Sequence, residues 1–408
     1  MNDTDAPALP DIGILSLVPD PWSTLWQPRH HVLTRLARFY HVCYVEPSLH
    51  WRRTWSSPSK DRAAAAATPG FVVHAPERWL PELLGWPRVS GALRNSRWRR
   101  ARQRLVRRGC RRIVLYVWRP EFAGALDRIP HDLSCYHIDD EYSFSRVEEP
   151  IDPVERDLIE RVDRVFIHSP ALLEKKGKLN PQTTFVPNGV DYRAHATVAP
   201  EPLDLLGVPR PRIGYTGRVK RQLDWPLIEQ LVLRHENWQF VFVGAHAPHD
   251  EVREAVARLS PKPNLCFLGA KSVDELAVYP QHFDACIMPY RVDDYTRFIY
   301  PMKVNEYLAS GTPTAGSSIR SLEEYAKVVE LARTSEEWSR AIERCLSPSA
   351  RESGRREDRQ RMAQLHDWDR LTERVARRMA EGMGPDVMRR LETVLAESAG
   401  QERSVERR

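Results

Sequence analysis

The sequence predicts an α/β protein of two domains, each with a parallel sheet covered by helices on both faces. The chain has 408 residues, which is enough for two domains of ordinary size. Short apolar, strand-like runs alternate with amphipathic helical segments, and the alternation restarts after a proline-rich connector at residues 188–208. Strands that alternate with helices favour parallel pairing through right-handed crossovers, as in Rossmann-like folds.

The first half of the chain predicts an N-terminal domain over residues 1–195. Strand-like runs are found at residues 12–18, 42–45, 71–74, 113–118, 133–138, 164–168 and 184–186, and helical patterns at 29–39, 94–108 and 153–162. The first helical pattern places Val32, Leu33, Leu36 and Phe39 on one face, as a helix packed on a sheet requires.

The second half predicts a C-terminal domain over residues 196–360. Its strand-like runs are residues 212–215, 240–243, 265–268, 285–288 and 314–316, and its helical patterns are 223–233, 251–259, 273–279, 303–310, 321–325 and 335–345. A helix at residues 361–383 is expected to pack back toward the N-terminal domain. Residues 384–408 form a charged tail that is either a helix or frayed.

Composition is typical of a soluble protein, with 42% hydrophobic and 28% charged residues and a mean hydropathy of -0.52. No apolar run approaches the roughly 20 residues of a membrane span. The acidic N-terminus is followed by no signal-like apolar region, so we expect a cytoplasmic protein, with peripheral attachment at the inner face of the membrane as an option. The six cysteines form no C-x-x-C pair, and no zinc site is expected.

The net charge of +6 is spread unevenly along the chain. Residues 51–112 hold 16 Lys or Arg against 3 Asp or Glu, and ten arginines lie between Arg94 and Arg112 with no acid among them. A thin apolar stripe accompanies these arginines, formed by Leu93, Trp98, Leu105 and Val106. This pattern is typical of a helix that lies on an anionic membrane surface. A nucleic-acid surface or a merely solvated basic face are the alternatives, and we expect no nucleic-acid partner.

Candidate ligand-binding residues follow the predicted strands, because ligands of parallel sheets bind beyond the carboxyl ends of the strands. The loop after the first strand of the second domain contains Gly217, Arg218 and Lys220. The glycine allows a ligand to approach the backbone, and the two cations suit a diphosphate. Solvated basic side chains are the alternative interpretation.

A second candidate site begins with the polar and aromatic loop at residues 290–300, after which Pro301 opens a helix. This helix carries Lys303 and Glu306 near its start, where amides and cations favour anions and a carboxylate can accept the hydroxyls of a ribose. Gly311 ends the helix. The alternative is an ordinary amphipathic helix whose charges face solvent.

In the first half, Asp139, Asp140 and Glu141 follow a strand that ends at Ile138. Acids at such a position suggest a general base that activates an acceptor hydroxyl, with Asp140 as first choice and Asp139 as second. His137 could assist on the acceptor side. A helix N-cap with an acidic first turn is the alternative.

The loop after the first strand contains Trp22 and Trp26 and leads into Arg29. The two indole rings are candidates to stack on sugar rings of an acceptor, and Arg29 is a candidate acceptor contact. Anchoring of the loop to the core by the same rings is an equal alternative.

Several of these segments together resemble GT-B glycosyltransferases, those like family 4 and its bacterial cell-surface polysaccharide relatives. The stretch at residues 301–313, PMKVNEYLASGTP, resembles their P-x-K-x-x-E-Y-x-A-x-G-x-P signature. VPNGVD at residues 186–191 is similar to their interdomain motif, and strand ends such as YTGR at 215–218 and FVG at 242–244 also match. YHIDDEYS at residues 136–143 resembles a stretch in relatives of teichuronic-acid and xanthan-type glucuronosyltransferases.

The resemblance implies a GT-B fold in which two Rossmann-like domains face a cleft. It implies that Glu306 holds the donor ribose and that Arg218 and Lys303 contact the diphosphate. Gly244 and the loop residues Tyr290 and Thr296 then belong to the donor site. No metal ion or other cofactor is expected.

The implied activity is sugar transfer from a nucleotide-sugar, UDP-linked more than GDP-linked, to a glycan or polyprenyl-linked acceptor in cell-surface polysaccharide assembly. One departure stands out: family 4 has Glu-x7-Glu, but the position eight before Glu306 is Phe298. Asp293 or Asp294 could replace the missing acid. A nucleotide-sugar epimerase and a non-catalytic binder or membrane scaffold are the alternative functions.

Overall fold

The computed structural model describes residues 6–22, 26–48, 68–76, 87–142 and 150–406. Their contacts divide the chain into two compact units. Domain 1 comprises Met1–His168, Leu172–Val186 and Leu371–Arg408, and domain 2 comprises Ser169–Ala171 and Pro187–Arg370. The sequence placed the boundary at residue 195, so the segment with Asn188 falls in domain 2 instead.

Domain 1 contains a seven-stranded, wholly parallel sheet in the order β3-β2-β1-β4-β5-β6-β7. The strands are β1 (Ile12–Leu17), β2 (His41–Val45), β3 (Phe71–His74), β4 (Arg112–Val117), β5 (Leu133–Ile138), β6 (Arg164–Ile167) and β7 (Thr183–Phe185). The described helices before β7 are α1 (Pro28–Leu36), α2 (Pro87–Arg107), α3 (Pro153–Arg161) and α4 (Pro170–Lys176). Every residue of β1 and β5 is buried, as expected for central strands covered on both faces.

Domain 2 contains a six-stranded parallel sheet in the order β10-β9-β8-β11-β12-β13, the doubly wound order of dinucleotide-binding folds. The strands are β8 (Arg212–Thr216), β9 (Gln239–Val243), β10 (Leu265–Phe267), β11 (Ala285–Met288), β12 (Thr314–Ser317) and β13 (Val329–Ala332). The helices are α5 (Tyr192–Ala196), α6 (Trp225–Arg234), α7 (Asp250–Leu259), α8 (Val273–Val278), α9 (Lys303–Ser310), α10 (Ser335–Leu346) and α11 (Ser353–Leu365). The sequence did not predict β13, a four-residue strand in which only Val329 and Ala332 are buried.

The single helix predicted at residues 361–383 is two helices, α11 and α12 (Trp368–Met383). They are separated because Val190 takes the backbone hydrogen bonds at the break: its N–H donates to the carbonyl of His366, and its carbonyl accepts from Trp368, both at 3.0 Å. Helix α12 packs in domain 1, where the hydroxyl of Tyr40 donates to the carbonyl of Ala376 at 3.3 Å.

Residues after Gly384 form α13 (Pro385–Glu406), so the helix is the correct one of the two alternatives for the charged tail. Val387 and Leu391 are buried, and Arg390 forms an ion pair with Asp11 at 2.5 Å. No helix among the described residues is both long enough and apolar enough to cross a membrane.

Candidate functional site

Two glycines shape the carboxyl ends of β8 and β9. Gly217 has a φ of +104° and Gly244 a φ of +147°, both in the region that favours glycine. A Cβ atom on Gly244 would lie 2.2 Å from the carbonyl oxygen of Gly217, so the two backbones are in close contact. The turn after β8 therefore depends on glycine at both positions.

The ammonium group of Lys303 lies directly against this turn. A Cβ atom added to Gly217 would be 2.4 Å from Nζ of Lys303, and the same nitrogen lies 5.5 Å from the centre of the Tyr215 ring. Within the part of the chain that the structure describes, Lys303 has no ion pair. Its charge is therefore held beside an open glycine turn and is available to an anion.

Glu306 follows in the first turn of α9 and is half-buried. Among the described residues its carboxylate has neither a hydrogen bond nor an ion pair. A carboxylate that is partly removed from water and unpaired retains its full capacity to accept hydrogen bonds from a ligand.

Internal hydrogen bonds fix the position of α9. The hydroxyl of Tyr307 accepts the backbone N–H of Thr216 at 2.9 Å, which ties the helix to the end of β8. Asn305 donates to the carbonyl of Asn188 at 3.1 Å, and Asn188 donates to the carbonyl of Tyr300 at 2.7 Å. The asparagine of the VPNGVD segment thus anchors the region where α9 begins.

The two basic residues after Gly217 differ in environment. Arg218 is exposed and has no ion pair among the described residues, whereas Lys220 lies 5.7 Å from the centre of the Tyr290 ring. Arg218 is therefore the more available of the two for a diphosphate.

The predicted donor contacts Thr296 and Tyr290 are buried. Thr296 is fully buried, and its hydroxyl donates to the carbonyl of Arg291 at 2.6 Å, while its N–H donates to Asp293 at 2.8 Å. Tyr290 is 2% exposed. The hydroxyl of Thr296 stabilises the loop, because its hydrogen-bonding capacity is used within it. Asp294, in contrast, is exposed and unpaired among the described residues, which makes it the better of the two candidate replacements for the acid at position 298.

His195, on α5, was not identified from the sequence. Its Nδ1 atom is buried with no hydrogen-bond partner among the described residues. Burial lowers the pKa of His195, and the charge of Glu306 acts in the opposite direction, so the two side chains lie near each other. No local sequence pattern marks this histidine, since its position depends on the packing of α5 against α9.

In domain 1, Asp139 belongs to a buried ion-pair cluster. Arg29 donates to its Oδ2 at 2.5 Å, and the hydroxyl of Tyr142 donates to its Oδ1 at 2.6 Å. Burial by itself would raise the pKa of Asp139, but Arg29 and Arg119 hold it below the usual range. An acid that is stabilised as the anion by permanent cations is a poor proton acceptor, which makes Asp139 a positioning residue.

Asp140 is in a different electrostatic state from its neighbour. Its Oδ1 accepts the N–H of Glu141 at 2.8 Å, and the other oxygen has no partner among the described residues. Burial raises the pKa of Asp140, and the charge of Asp139 raises it further. A raised pKa and a free oxygen suit a general base, so the geometry favours the first choice of the sequence analysis.

A buried ionic network lies next to these acids. Lys176 is fully buried and contacts Glu155 at 2.8 Å and Glu141 at 3.0 Å, and Lys175 contacts Glu141 at 2.9 Å. Tyr136 donates to Glu155 at 3.1 Å. These ion pairs of Glu141 fix the chain immediately after Asp140.

Arg119 follows β4 and was missed by the sequence analysis, although its position after a strand could have indicated it. Its guanidinium lies 4.5 Å from the centre of the Tyr142 ring and has no ion pair among the described residues. Burial lowers the pKa of Arg119, but Tyr142, Asp139 and Asp140 raise it overall. This places a cation near the candidate base.

Three residues that were predicted to contact an acceptor lie in the core, and those predictions are wrong: His137, Trp22 and Arg29. His137 is 2% exposed and stacks on Trp118 at 4.3 Å, and burial lowers its pKa to about 3, so it is neutral and does not face a ligand. Trp22 is 3% exposed and packs on Tyr44 and neighbouring rings.

Arg29 is 3% exposed, and its guanidinium forms ion pairs with Asp20 and Asp139. Trp26, at 36% exposed, is the one of the two tryptophans that can still stack on a sugar.

The arginine-rich helix α2 buries part of its apolar stripe inside the protein, whereas Val106 is 37% exposed. Trp98 is 3% exposed and Leu105 is fully buried, because α2 packs on β1 and β2. The interpretation of these two residues as membrane-facing is therefore wrong. Arginines on the outer side of the same helix remain exposed, namely Arg99, Arg100, Arg104 and Arg107.

Among the described residues, no group of three or more His, Cys, Asp or Glu side chains is arranged to hold a metal ion. The described cysteines are all unpaired.

Comparison of the fold with solved structures gives its class. Over 90% of this chain and 97% of the other, it is similar to sucrose-phosphate synthase from Thermosynechococcus elongatus, with a TM-score of 0.65 and 16% identity. It is also similar to an alpha,alpha-trehalose-phosphate synthase (UDP-forming) from Burkholderia vietnamiensis, with a TM-score of 0.63 and 13% identity over 91% and 98% of the two chains. WaaG, a glycosyltransferase involved in lipopolysaccharide biosynthesis, matches with a TM-score of 0.57 and 15% identity over 90% and 98%.

The chain thus has the two-domain, Rossmann-like GT-B fold that the sequence predicted. Residues 210–348, within domain 2, match the family model "Glycosyl transferases group 1". In sequence, the chain is 28% identical over 230 residues to the "Putative teichuronic acid biosynthesis glycosyltransferase TuaH" of Bacillus subtilis (strain 168). That match covers 53% of this chain and 57% of the relative.

Proposed function

We propose that this protein is a glycosyltransferase that moves a sugar from a nucleotide-diphosphate sugar to a glycan or lipid-linked acceptor. The observation that carries the proposal is the pair of unpaired charges, Lys303 and Glu306, in the first turn of α9 beside the turn at Gly217. The family match of residues 210–348 supports sugar transfer as the reaction.

In domain 2, Glu306 accepts the ribose hydroxyls of the donor, while Lys303 and Arg218 contact its diphosphate. These cations stabilise the negative charge that develops on the diphosphate as the bond to the anomeric carbon breaks. The N–H groups of Gly217 and Val219 already donate to the carbonyls of Val243 and Ala245, so at this turn the phosphates are bound by the side chains of Lys303 and Arg218. Asp294 is the candidate for contact with the donor sugar.

In domain 1, Asp140 removes the proton of the acceptor hydroxyl as that oxygen bonds to the anomeric carbon. Direct displacement of this kind inverts the configuration at that carbon, whereas a retaining enzyme does not need the base for this purpose. Arg119 is a suitable contact for an anionic group on the acceptor, such as the phosphate of a polyprenyl carrier.

The donor is UDP-linked rather than GDP-linked, and the product belongs to a cell-surface polysaccharide. The name of the trehalose-phosphate synthase, which is UDP-forming, supports the first statement. The names of the teichuronic acid relative and of WaaG support the second.

We propose that the protein attaches to an anionic membrane surface through the charge of helix α2. The outward arginines of α2 attract acidic headgroups, so binding should fall steeply with salt. A variant with Arg99, Arg100, Arg104 and Arg107 changed to Gln should lose binding to vesicles of acidic lipid. Unchanged vesicle binding of that variant would contradict the proposal.

Calorimetry with UDP, GDP and their sugars tests the donor site, followed by a transfer assay with radiolabelled donor and lipid-linked acceptors. We expect UDP-sugar binding and acceptor-dependent transfer. A protein that binds donor but never transfers it is a non-catalytic binder, which the Phe298 departure would then explain. Interconversion of donors without an acceptor would identify an epimerase instead.

A further inference from the structure

A charged cavity lies in domain 2 at the amino ends of the strands, whereas Gly217 lies at their carboxyl ends. Its volume is about 90 Å³, and it opens at the amino ends of β12 and β13, against α11. Its charged lining comprises Lys327, Glu330, Arg344, Arg355, Asp358 and Arg359. None of these residues takes part in the proposed transfer reaction.

The two acids of the lining already have partners. Glu330 accepts from Arg344 at 2.8 Å, and Asp358 accepts from Arg361 at 2.8 Å. Lys327, Arg355 and Arg359 remain without an ion pair among the described residues. The cavity therefore carries uncompensated positive charge.

Arg359 is the most unusual of the three cations because it is only 5% exposed. Its Nε donates to the carbonyl of Gly311 and its Nη2 to the carbonyl of Ala350, both at 2.8 Å. Both acceptors are neutral, so the guanidinium is held rigidly with no counterion. Burial lowers the pKa of Arg359, and the charges of Arg355 and Arg356 lower it further. A buried charge without a counterion is costly, which favours a site that an anion completes.

Lys327 and Arg355 are exposed at the rim of the cavity. Arg355 also lies in the first turn of α11. That first turn contains no acid, although the N-cap residue before it is Glu352. Cations at the amino end of a helix add to its positive potential instead of offsetting it.

We propose that this cavity binds a phosphate group, either inorganic phosphate or the phosphate of a small phosphorylated metabolite. Arg359 provides a preorganised guanidinium inside the cavity, and Lys327 and Arg355 complete the charge at its rim. The site is independent of the donor site.

The test is a titration of the full-length protein with inorganic phosphate, and separately with glucose 1-phosphate, at constant ionic strength, by calorimetry and thermal unfolding. The titrations are made in a Lys303→Ala background, which weakens the proposed diphosphate contact. We expect saturable binding there, and about tenfold weaker binding when Lys327→Ala and Arg355→Ala are added. Arg340→Ala, an exposed arginine of α10 outside the cavity, is the matched control and should leave the affinity unchanged.

The rim variant avoids removal of the buried Arg359, whose loss could unfold the domain. Equal phosphate affinity with and without the rim substitutions would overturn the proposal, as would the absence of saturation. If phosphate binds to the wild type but not after Lys303→Ala, the ion occupies the donor site and this cavity is not a site. That result would leave the proposed transfer activity untouched. Tighter binding of glucose 1-phosphate than of phosphate would identify a phosphorylated metabolite as the ligand.

Discussion

Glu306 lies three residues after Lys303 in the first turn of α9, and the two opposite charges form no ion pair with each other. Residues spaced in this way face the same side of a helix and commonly attract each other. Here Lys303 lies against Gly217 instead, and the carboxylate stays open. The separation leaves one cation and one acceptor for two different parts of a single ligand.

Substitution by asparagine should affect transfer at Asp140 and stability at the neighbouring Asp139. Asp140→Asn should reduce transfer at least about 100-fold and leave donor affinity unchanged, because a positioned base contributes that much. It should not lower the melting temperature, since burial raises the pKa of Asp140 and the fold therefore disfavours its charged form.

Asp139→Asn should instead lower the stability by roughly 3 kcal/mol, because it leaves buried Arg29 without its main partner. Thermal unfolding and single-turnover transfer of the two variants measure this difference. If Asp140→Asn transferred sugar at the normal rate, Asp140 would not be the base.

The pH dependence of transfer should follow the titration of Asp140. A base works when deprotonated, so kcat/KM should fall as the pH decreases through the pKa of Asp140. Because burial raises that pKa, the acid limb should lie above the ordinary aspartate value of about 3.9. Asp139 stays ionised over the same range, because Arg29 lowers its pKa against the effect of burial. Circular dichroism at each pH separates titration from unfolding. The same fall of kcat/KM at low pH in Asp140→Asn would refute the assignment of Asp140 as the base.

Gly217→Ala should impair donor binding. The added methyl group would lie 2.4 Å from Nζ of Lys303, and the φ of +104° is strained for alanine. We expect a donor affinity at least about tenfold weaker, because the ammonium must move from the turn. Gly207→Ala, where nothing lies within 4 Å, is the control. Equal donor affinities of Gly217→Ala and the wild type, measured by calorimetry, would contradict the placement of the diphosphate at this turn.

Lys176→Met should destabilise domain 1 strongly. The substitution leaves the buried carboxylates of Glu141 and Glu155 without their shared cation, at a cost of roughly 3–5 kcal/mol. Urea denaturation measures the change, with the exposed Lys178→Met as control. Adding Glu155→Gln should recover part of the stability. A Lys176→Met protein as stable as the control would show that the network contributes little.

The sequence predicted every described strand except β13, and it predicted their parallel arrangement, because these depend on local patterns. Apolar runs followed by glycine or proline mark strand ends wherever the rest of the chain lies. The break between α11 and α12 was missed, since it depends on a backbone pairing with Val190 from a distant segment.

Errors arose where one pattern fits two environments. The stripe with Trp98 and Leu105 is the same whether a helix faces a membrane or a protein core, and here it faces the core. His137 was placed near the acceptor by its neighbours, but both faces of β5 are covered and the ring is buried. Helix α5, which carries His195, packs against α9, and spacing in the sequence does not reveal that contact.

The most direct test of the account is a thermodynamic cycle on the ribose contact. UDP and its 2′-deoxy and 3′-deoxy forms are titrated by calorimetry into wild type, Glu306→Gln and the exposed control Glu254→Gln. A hydrogen bond to a charged group is worth about 1.5–3 kcal/mol, so loss of a ribose hydroxyl should weaken binding to wild type and the control by about tenfold or more. The same change should cost clearly less affinity in Glu306→Gln, because its neutral amide oxygen still accepts a hydrogen bond but carries no charge. An equal loss in all three proteins would show that Glu306 does not hold the ribose.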